Sequence, residues 1–111
     1  MVFIESKAFT RRLHDLAGGA ADEVLRQIQE DLLKDPETGD VVQGLSGIRK
    51  ARASNPTRGK GKRGGYRYMH LYLKHRDHIH LLILLDKDEQ EDLNTEQRKI
   101  LRLMVAELKR L

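Results

Sequence analysis

Cysteine and tryptophan are absent, proline occurs twice, and only 5% of the 111 residues are aromatic. Without cysteine there is no disulfide, no zinc–thiolate centre and no thiol nucleophile, and a reducing setting is the simple expectation. No apolar run approaches bilayer-spanning length, and no basic segment followed by an apolar stretch opens the chain, so it reads as soluble and cytoplasmic, with no membrane partner. The aliphatic residues come in periodic groups despite 34% charged residues. A single folded domain over 1–111 is therefore expected, rather than a disordered chain.

Acidic residues are also missing from one long stretch, RKARASNPTRGKGKRGGYR, from Arg49 to Arg67. Arg49, Lys50, Arg52, Arg58, Lys60, Lys62, Arg63 and Arg67 place eight positive charges there, while the rest of the chain holds thirteen basic residues against seventeen acidic ones. The basic character is local, which points to a polyanion held at close range, and nucleic acid is the first candidate.

The coarse reading starts with a β-prone Val2-Phe3-Ile4. Ser6 then caps a helix carrying Phe9, Leu13 and Leu16, which Gly18-Gly19 ends. A second helix, from about Asp22 to Lys34, buries Val24, Leu25, Ile28, Leu32 and Leu33 and turns Arg26, Glu30 and Asp31 outward. Glu37 to Gly47 reads as a loop. Ile48 to Ala53 reads as a strand with Ile48, Lys50 and Arg52 on one face and Arg49, Ala51 and Ala53 on the other. After a Gly-rich connection from Ser54 to Gly65, Tyr66 to Lys74 and Ile79 to Leu85 read as a hairpin around His75-Arg76-Asp77-His78. Asn94, with Gln97 three residues on, opens a last helix whose apolar side is Ile100, Leu101, Met104, Leu108 and Leu111. This order implies an α+β domain, its helices packed on one face of a mostly antiparallel sheet and the other face free for a ligand.

Gly59, Gly61 and Gly64 fit the letters of a GxGxxG fingerprint, but a strand follows them where that motif needs a helix. They read instead as part of a pliant arm whose Arg58, Lys60, Lys62 and Arg63 track a phosphate backbone. Lys50, Arg52 and Arg67 are the sharper set, because strands fix side-chain direction and converging cations stabilise a pentacoordinate phosphorus. Arg67 alternates with Met69, Leu71 and Leu73, so it either turns to the site from the sheet edge or is structural. Lys87 follows the most apolar strand, where a cation can aim at the same phosphate. His78 and His80 share a strand face but lack a carboxylate or cysteine partner, so no metal site is assigned. Asp86, Asp88, Glu89, Glu91 and Asp92 read as a solvated acidic turn.

The runs Gly39-Asp40-Val41-Val42, Gly44-Leu45-Ser46-Gly47-Ile48-Arg49-Lys50-Ala51-Arg52, Gly61-Lys62-Arg63-Gly64-Gly65-Tyr66-Arg67 and Lys87-Asp88-Glu89 with Asp92-Leu93-Asn94 resemble the HigB branch of the RelE toxin superfamily. The resemblance implies a RelE-like fold, with two N-terminal helices and a C-terminal helix packed on a mostly antiparallel β-sheet. It implies a toxin of a type II toxin–antitoxin system, partnered by a HigA-like antitoxin with a helix-turn-helix domain in a hetero-oligomer. The implied activity is ribosome-dependent cleavage of messenger RNA in the A site, without metal or other cofactor, by attack of a ribose 2′-hydroxyl on the adjacent phosphate. Lys50, Arg52, Arg67 and Lys87 match the catalytic positions, and Arg49, Arg58, Lys60, Lys62, Arg63 and Tyr66 are expected to bind RNA. Crowded cations would favour Lys50 as general base. Ser46 replaces a usual glycine, Asp86 precedes Lys87 unusually, and no tyrosine after the last strand supplies a leaving-group acid. The alternative is a non-enzymatic member of the fold, either a gyrase-poisoning toxin or an RNA- or ribosome-binding accessory protein.

Overall fold

The computed structural model describes residues 1–57, 61, 65–89 and 93–111. Strand β1 covers Val2–Glu5 and helix α1 covers Lys7–Ala17. Ser6 joins them: its Oγ accepts from the Phe9 N–H at 3.0 Å and donates to the Leu82 carbonyl at 2.7 Å, so the cap also ties α1 to the sheet. Gly18 ends α1 at φ +51°, a conformation open to glycine. Helix α2 spans Ala21–Lys34, with Ala21, Val24, Ile28 and Leu32 buried at steps of three and four. Leu33, expected inside, is 58% exposed, because it lies one residue, or about 100°, past the buried line. Asp31, expected outward, is half-buried instead.

The remaining elements are β2 (Asp40–Val41), β3 (Arg49–Ala53), β4 (Tyr66–Leu73), β5 (His78–Leu85) and helix α3 (Thr95–Arg110). They form a five-stranded sheet in the order β1-β5-β4-β3-β2. Among the described residues only the β1–β5 pairing is parallel, so the sheet is mixed but mostly antiparallel. The stretch read as a loop contains the edge strand β2, whose two pairs set Asp40 opposite Lys50 and Val41 opposite Arg49. Such a short edge gives other chains little to pair with. Asp77 turns the β4–β5 hairpin in the left-handed region and pairs with the Met1 amine at 2.8 Å.

The sheet is apolar on both faces, and here the expectation of helices on one face fails. Helices α1 and α2 cover Ala51, Ala53, Tyr66, Tyr68, Ile79, Leu81 and Leu84. On the opposite face, α3 packs through Val105, Leu101 and Leu108 against Ile48, Met69, Leu71 and Leu82. A one-residue slip makes this possible, since Met69 pairs with Ile83 but His70 pairs with Leu81. The extra residue, Leu82, breaks the alternation of β5. Leu82 and Ile83 therefore both belong to the α3 side.

Helix α3 begins with the reciprocal cap foreseen, Asn94 accepting from the Gln97 N–H at 2.8 Å and the Gln97 side chain accepting from the Asn94 N–H at 3.0 Å. Its buried line differs from the expected one. Val105 is 1% exposed, while Ile100, Met104 and Leu111 are 55%, 39% and 65% exposed. The helix is apolar over so broad an arc that periodicity alone does not choose a line. Polar contacts do: Arg98 donates to the Gln43 carbonyl at 3.0 Å, Arg102 to Gly44 at 3.3 Å and Lys109 to Ser46 at 2.9 Å. These three cations clasp α3 to the turn before β3 and fix its rotation.

Candidate phosphate-binding and catalytic site

The register of the sheet assembles the cationic set. Partners directly opposite each other share a face, with Cβ atoms about 5 Å apart. One row across the α3 face reads Asp40, Lys50, Met69, Ile83, and the next reads Arg52, Arg67, Leu85. Lys50, Arg52 and Arg67 therefore stand on one face, and Arg67 reaches it without leaving its strand's alternation. Met69 shares that side because α3 and the cations divide it between them. Two arginines directly opposite repel each other. An anion between or above them relieves that repulsion.

Arg67 is also held from the side. Its Nη1 donates to the Lys87 carbonyl at 2.8 Å, which brings the turn after β5 against the arginine pair. That turn is braced internally: Asp86 Oδ1 accepts from the Lys87 N–H at 2.8 Å and Glu89 Oε1 accepts from the Asp86 N–H at 2.9 Å. Arg12 of α1 secures it by donating to the Leu84 carbonyl at 3.0 Å and pairing with Glu89. Glu89 is thus a strut rather than part of a merely solvated acidic turn.

Other residues singled out in the sequence are placed elsewhere. Arg49 points to the opposite face from Lys50, donating to the Gly39 carbonyl at 3.1 Å and pairing with Glu37 at 3.5 Å. Tyr66 is 2% exposed in the core under α1 and α2, its hydroxyl donating to the Leu16 carbonyl at 3.3 Å. Neither joins the Lys50–Arg52–Arg67 set. Arg58, Lys60, Lys62 and Arg63 lie outside the described residues, as do Glu91 and Asp92.

Histidine was undervalued in the sequence. His70 is fully buried, and its Nε2 lies 2.9 Å from the Thr38 carbonyl. Burial lowers its pKa, with Arg49 adding to the effect against an opposing pull from the Thr38 bond, so the ring is neutral and Nε2–H donates. His70 and Arg49 together pin residues 37–39 to the sheet. Tyr68, beside it, has its pKa raised by burial and by the Asp31 carboxylate. His80 is lowered by burial and by His78, whose ring centre is 6.4 Å away.

Among the described residues, two hollows lie on the α3 side of the sheet. An apolar groove of about 550 Å³ runs between α3 and the sheet, lined by Met69, Leu82, Leu85, Ile100, Leu101 and Met104 among others. A second hollow, about 260 Å³, opens beside Lys50 and is lined by Asp40, Val41, Val42, Gln43, Lys50 and Arg98. Asp40, Gln43 and Arg98 had not been singled out as site residues. The spacing of Arg98, Arg102 and Lys109, four and seven residues apart, was a helical-face signal that could have drawn attention to α3. Asp40 stood in the run Gly39-Asp40-Val41-Val42, which marked a resemblance but gave this residue no role.

No family model matches the chain. Among solved structures, the isolated RelE toxin of Escherichia coli is similar at 11% identity and TM-score 0.56, over 98% of this chain and 96% of that one. The RelBE2 toxin–antitoxin complex of Mycobacterium tuberculosis contains a chain similar at 21% identity and TM-score 0.59, over 77% of this chain and 95% of that one. The intact E. coli RelBE complex gives 14% identity and TM-score 0.55, over 80% and 98%. At these identities the likeness defines the fold, which is RelE-like. Among the described residues, no helix is long and apolar enough to cross a membrane.

Proposed function

We propose that this chain is a toxin of the RelE superfamily, of its HigB branch, that cleaves messenger RNA in the ribosomal A site and is neutralised by a HigA-like antitoxin. The observation that carries the reading is the cationic row itself: Arg52 opposite Arg67, Lys50 in the adjoining row, and Arg67 bonded to the turn that bears Lys87. An anionic, five-coordinate phosphorus gains more from such fixed cations than a ground-state phosphate does. The fold shared with proteins solved as toxin–antitoxin complexes adds support.

In this reading the ribose 2′-oxygen forms a bond to the adjacent phosphorus while the bond from phosphorus to the 5′-oxygen breaks. The products are a 2′,3′-cyclic phosphate and a 5′-hydroxyl. Lys50 takes the 2′-hydroxyl proton, Arg52 and Arg67 hold the phosphate oxygens, and Lys87 assists at the phosphate or leaving group. The departing 5′-oxygen takes up a proton, for which no donor is assigned.

The test is expression without antitoxin, with messenger ends mapped in translated and untranslated copies of one message. Cuts confined to the translated copy are expected, and Lys50→Ala or Arg67→Ala should slow them by about 10²-fold or more. Growth arrest and cutting at wild-type rates in those variants would refute the site. Intact messages with damaged DNA would select a gyrase poison instead.

A further inference from the structure

The hollow beside Lys50 differs from the cationic row in one respect: its outer wall is a carboxylate. Asp40 stands directly across from Lys50, on the same face and at the edge of the sheet. A pocket for a second phosphate would not place an acid there. The volume, about 260 Å³, lies just under the ~300–1,000 Å³ of drug-sized sites, which suits a single planar base.

The walls are held firmly. Gly39 adopts φ +95°, and a Cβ there would lie 2.4 Å from the Lys50 carbonyl oxygen, so the backbone before Asp40 is pressed against β3. Arg49 holds the Gly39 carbonyl and His70 holds the Thr38 carbonyl, a role that accounts for a fully buried histidine and an arginine turned away from the cationic face. On the other side, Arg98 Nη1 donates to the Gln43 carbonyl, which anchors a planar guanidinium at the wall.

We infer that this hollow is a nucleobase subsite in which Asp40 reads the Watson–Crick edge of a guanine next to the scissile phosphate and Arg98 offers the plane on which that base stacks. The chemistry ranks the four bases. Single-stranded RNA is read by base-edge hydrogen bonds and by stacking on aromatic or guanidinium planes. A carboxylate offers two acceptor oxygens and no donor. Guanine presents two adjacent donors, N1–H and N2–H, and meets both oxygens. Adenine and cytosine present one amino group beside a ring acceptor. Uracil presents one imino N–H between two carbonyls, which face the carboxylate unfavourably.

The inference rests on the proposed ribonuclease activity, and its test separates the two. Translated messages carrying the four bases in turn beside each cut would be end-mapped with wild type and with Asp40→Asn, scoring only the ratio of cutting at guanine to cutting at uracil. A ratio of about tenfold or more is expected for wild type, from one good bidentate base contact, falling to near unity in Asp40→Asn. The ratio cancels any general loss of activity or folded fraction. Cutting with the same base profile in both proteins would overturn the subsite and leave the nuclease standing. No cutting by wild type at all would overturn the nuclease and the subsite with it.

Discussion

Replacing Gly39 with alanine tests whether the loop before Asp40 is as tightly seated as the contacts imply. Two costs arise. At φ +95° an L-residue is strained by about 1–3 kcal/mol. The new methyl would also meet the Lys50 carbonyl oxygen at 2.4 Å, its carbon at 2.8 Å and the Ala51 Cβ at 2.9 Å, none of which is a flexible side-chain end. Such overpacking typically costs a further ~1–3 kcal/mol. The sum, about 4 kcal/mol, is a large share of the ~5–15 kcal/mol that holds a domain together. Gly18→Ala supplies the reference, because it shares the positive φ, at +51°, but a Cβ there has nothing within 4 Å. Urea unfolding of the three proteins should show a loss roughly 2 kcal/mol greater for Gly39→Ala than for Gly18→Ala. If β2 peels from β3 instead, the global loss shrinks, and exchange protection of the Val42 amide, bonded to the Ile48 carbonyl at 2.9 Å, falls in its place. Equal midpoints for the two variants, with Val42 protection unchanged, would refute the argument.

The rotation of α3 predicts opposite outcomes for neighbouring residues. Val105→Ala should cost about 2 kcal/mol in denaturant unfolding and Ile100→Ala less than about 1, and the reverse order would mean the buried line is misassigned. His70 makes stability depend on pH. In the fold its pKa lies below the ordinary 6.5, so as pH drops the unfolded chain takes up that proton first, and stability present above 6.5 is lost on acidification. His70→Gln retains an N–H for the Thr38 carbonyl but does not titrate. Thermal melts between about pH 7.5 and about pH 5 should therefore fall more steeply for wild type than for the variant, with parallel curves counting against the buried neutral ring.

Local chemistry was the legible part. Ser6 and the Asn94–Gln97 pair mark helix starts through bonds spanning three residues, Gly18 marks an end through its positive φ, and the alternation from Ile48 to Ala53 assigned Lys50 and Arg52 to one face. What required the third dimension was phase. Nothing in HIHLLILL announces that the strand slips at Leu82, and nothing in α3 says whether Val105 or Met104 is inward until the carbonyls of the 43–46 turn take hold of Arg98, Arg102 and Lys109. Tyr66 was misleading for a related reason: beside a basic run it looks like a base-stacking ring, but its strand parity carries it into the core. Asp40 was quoted within a run but given no face, because two residues of strand leave no periodicity to detect.

The clasp on α3 has an ionic-strength consequence. Its three cations grip neutral carbonyl dipoles rather than carboxylates, and charge–dipole contacts at hydrogen-bond distance are screened far less by salt than the attraction of a polyanion for a cationic face. On the proposed nuclease reading, added salt should therefore strip a nucleic acid from the sheet while leaving the helix seated, so that anion binding and helix docking respond to separate controls.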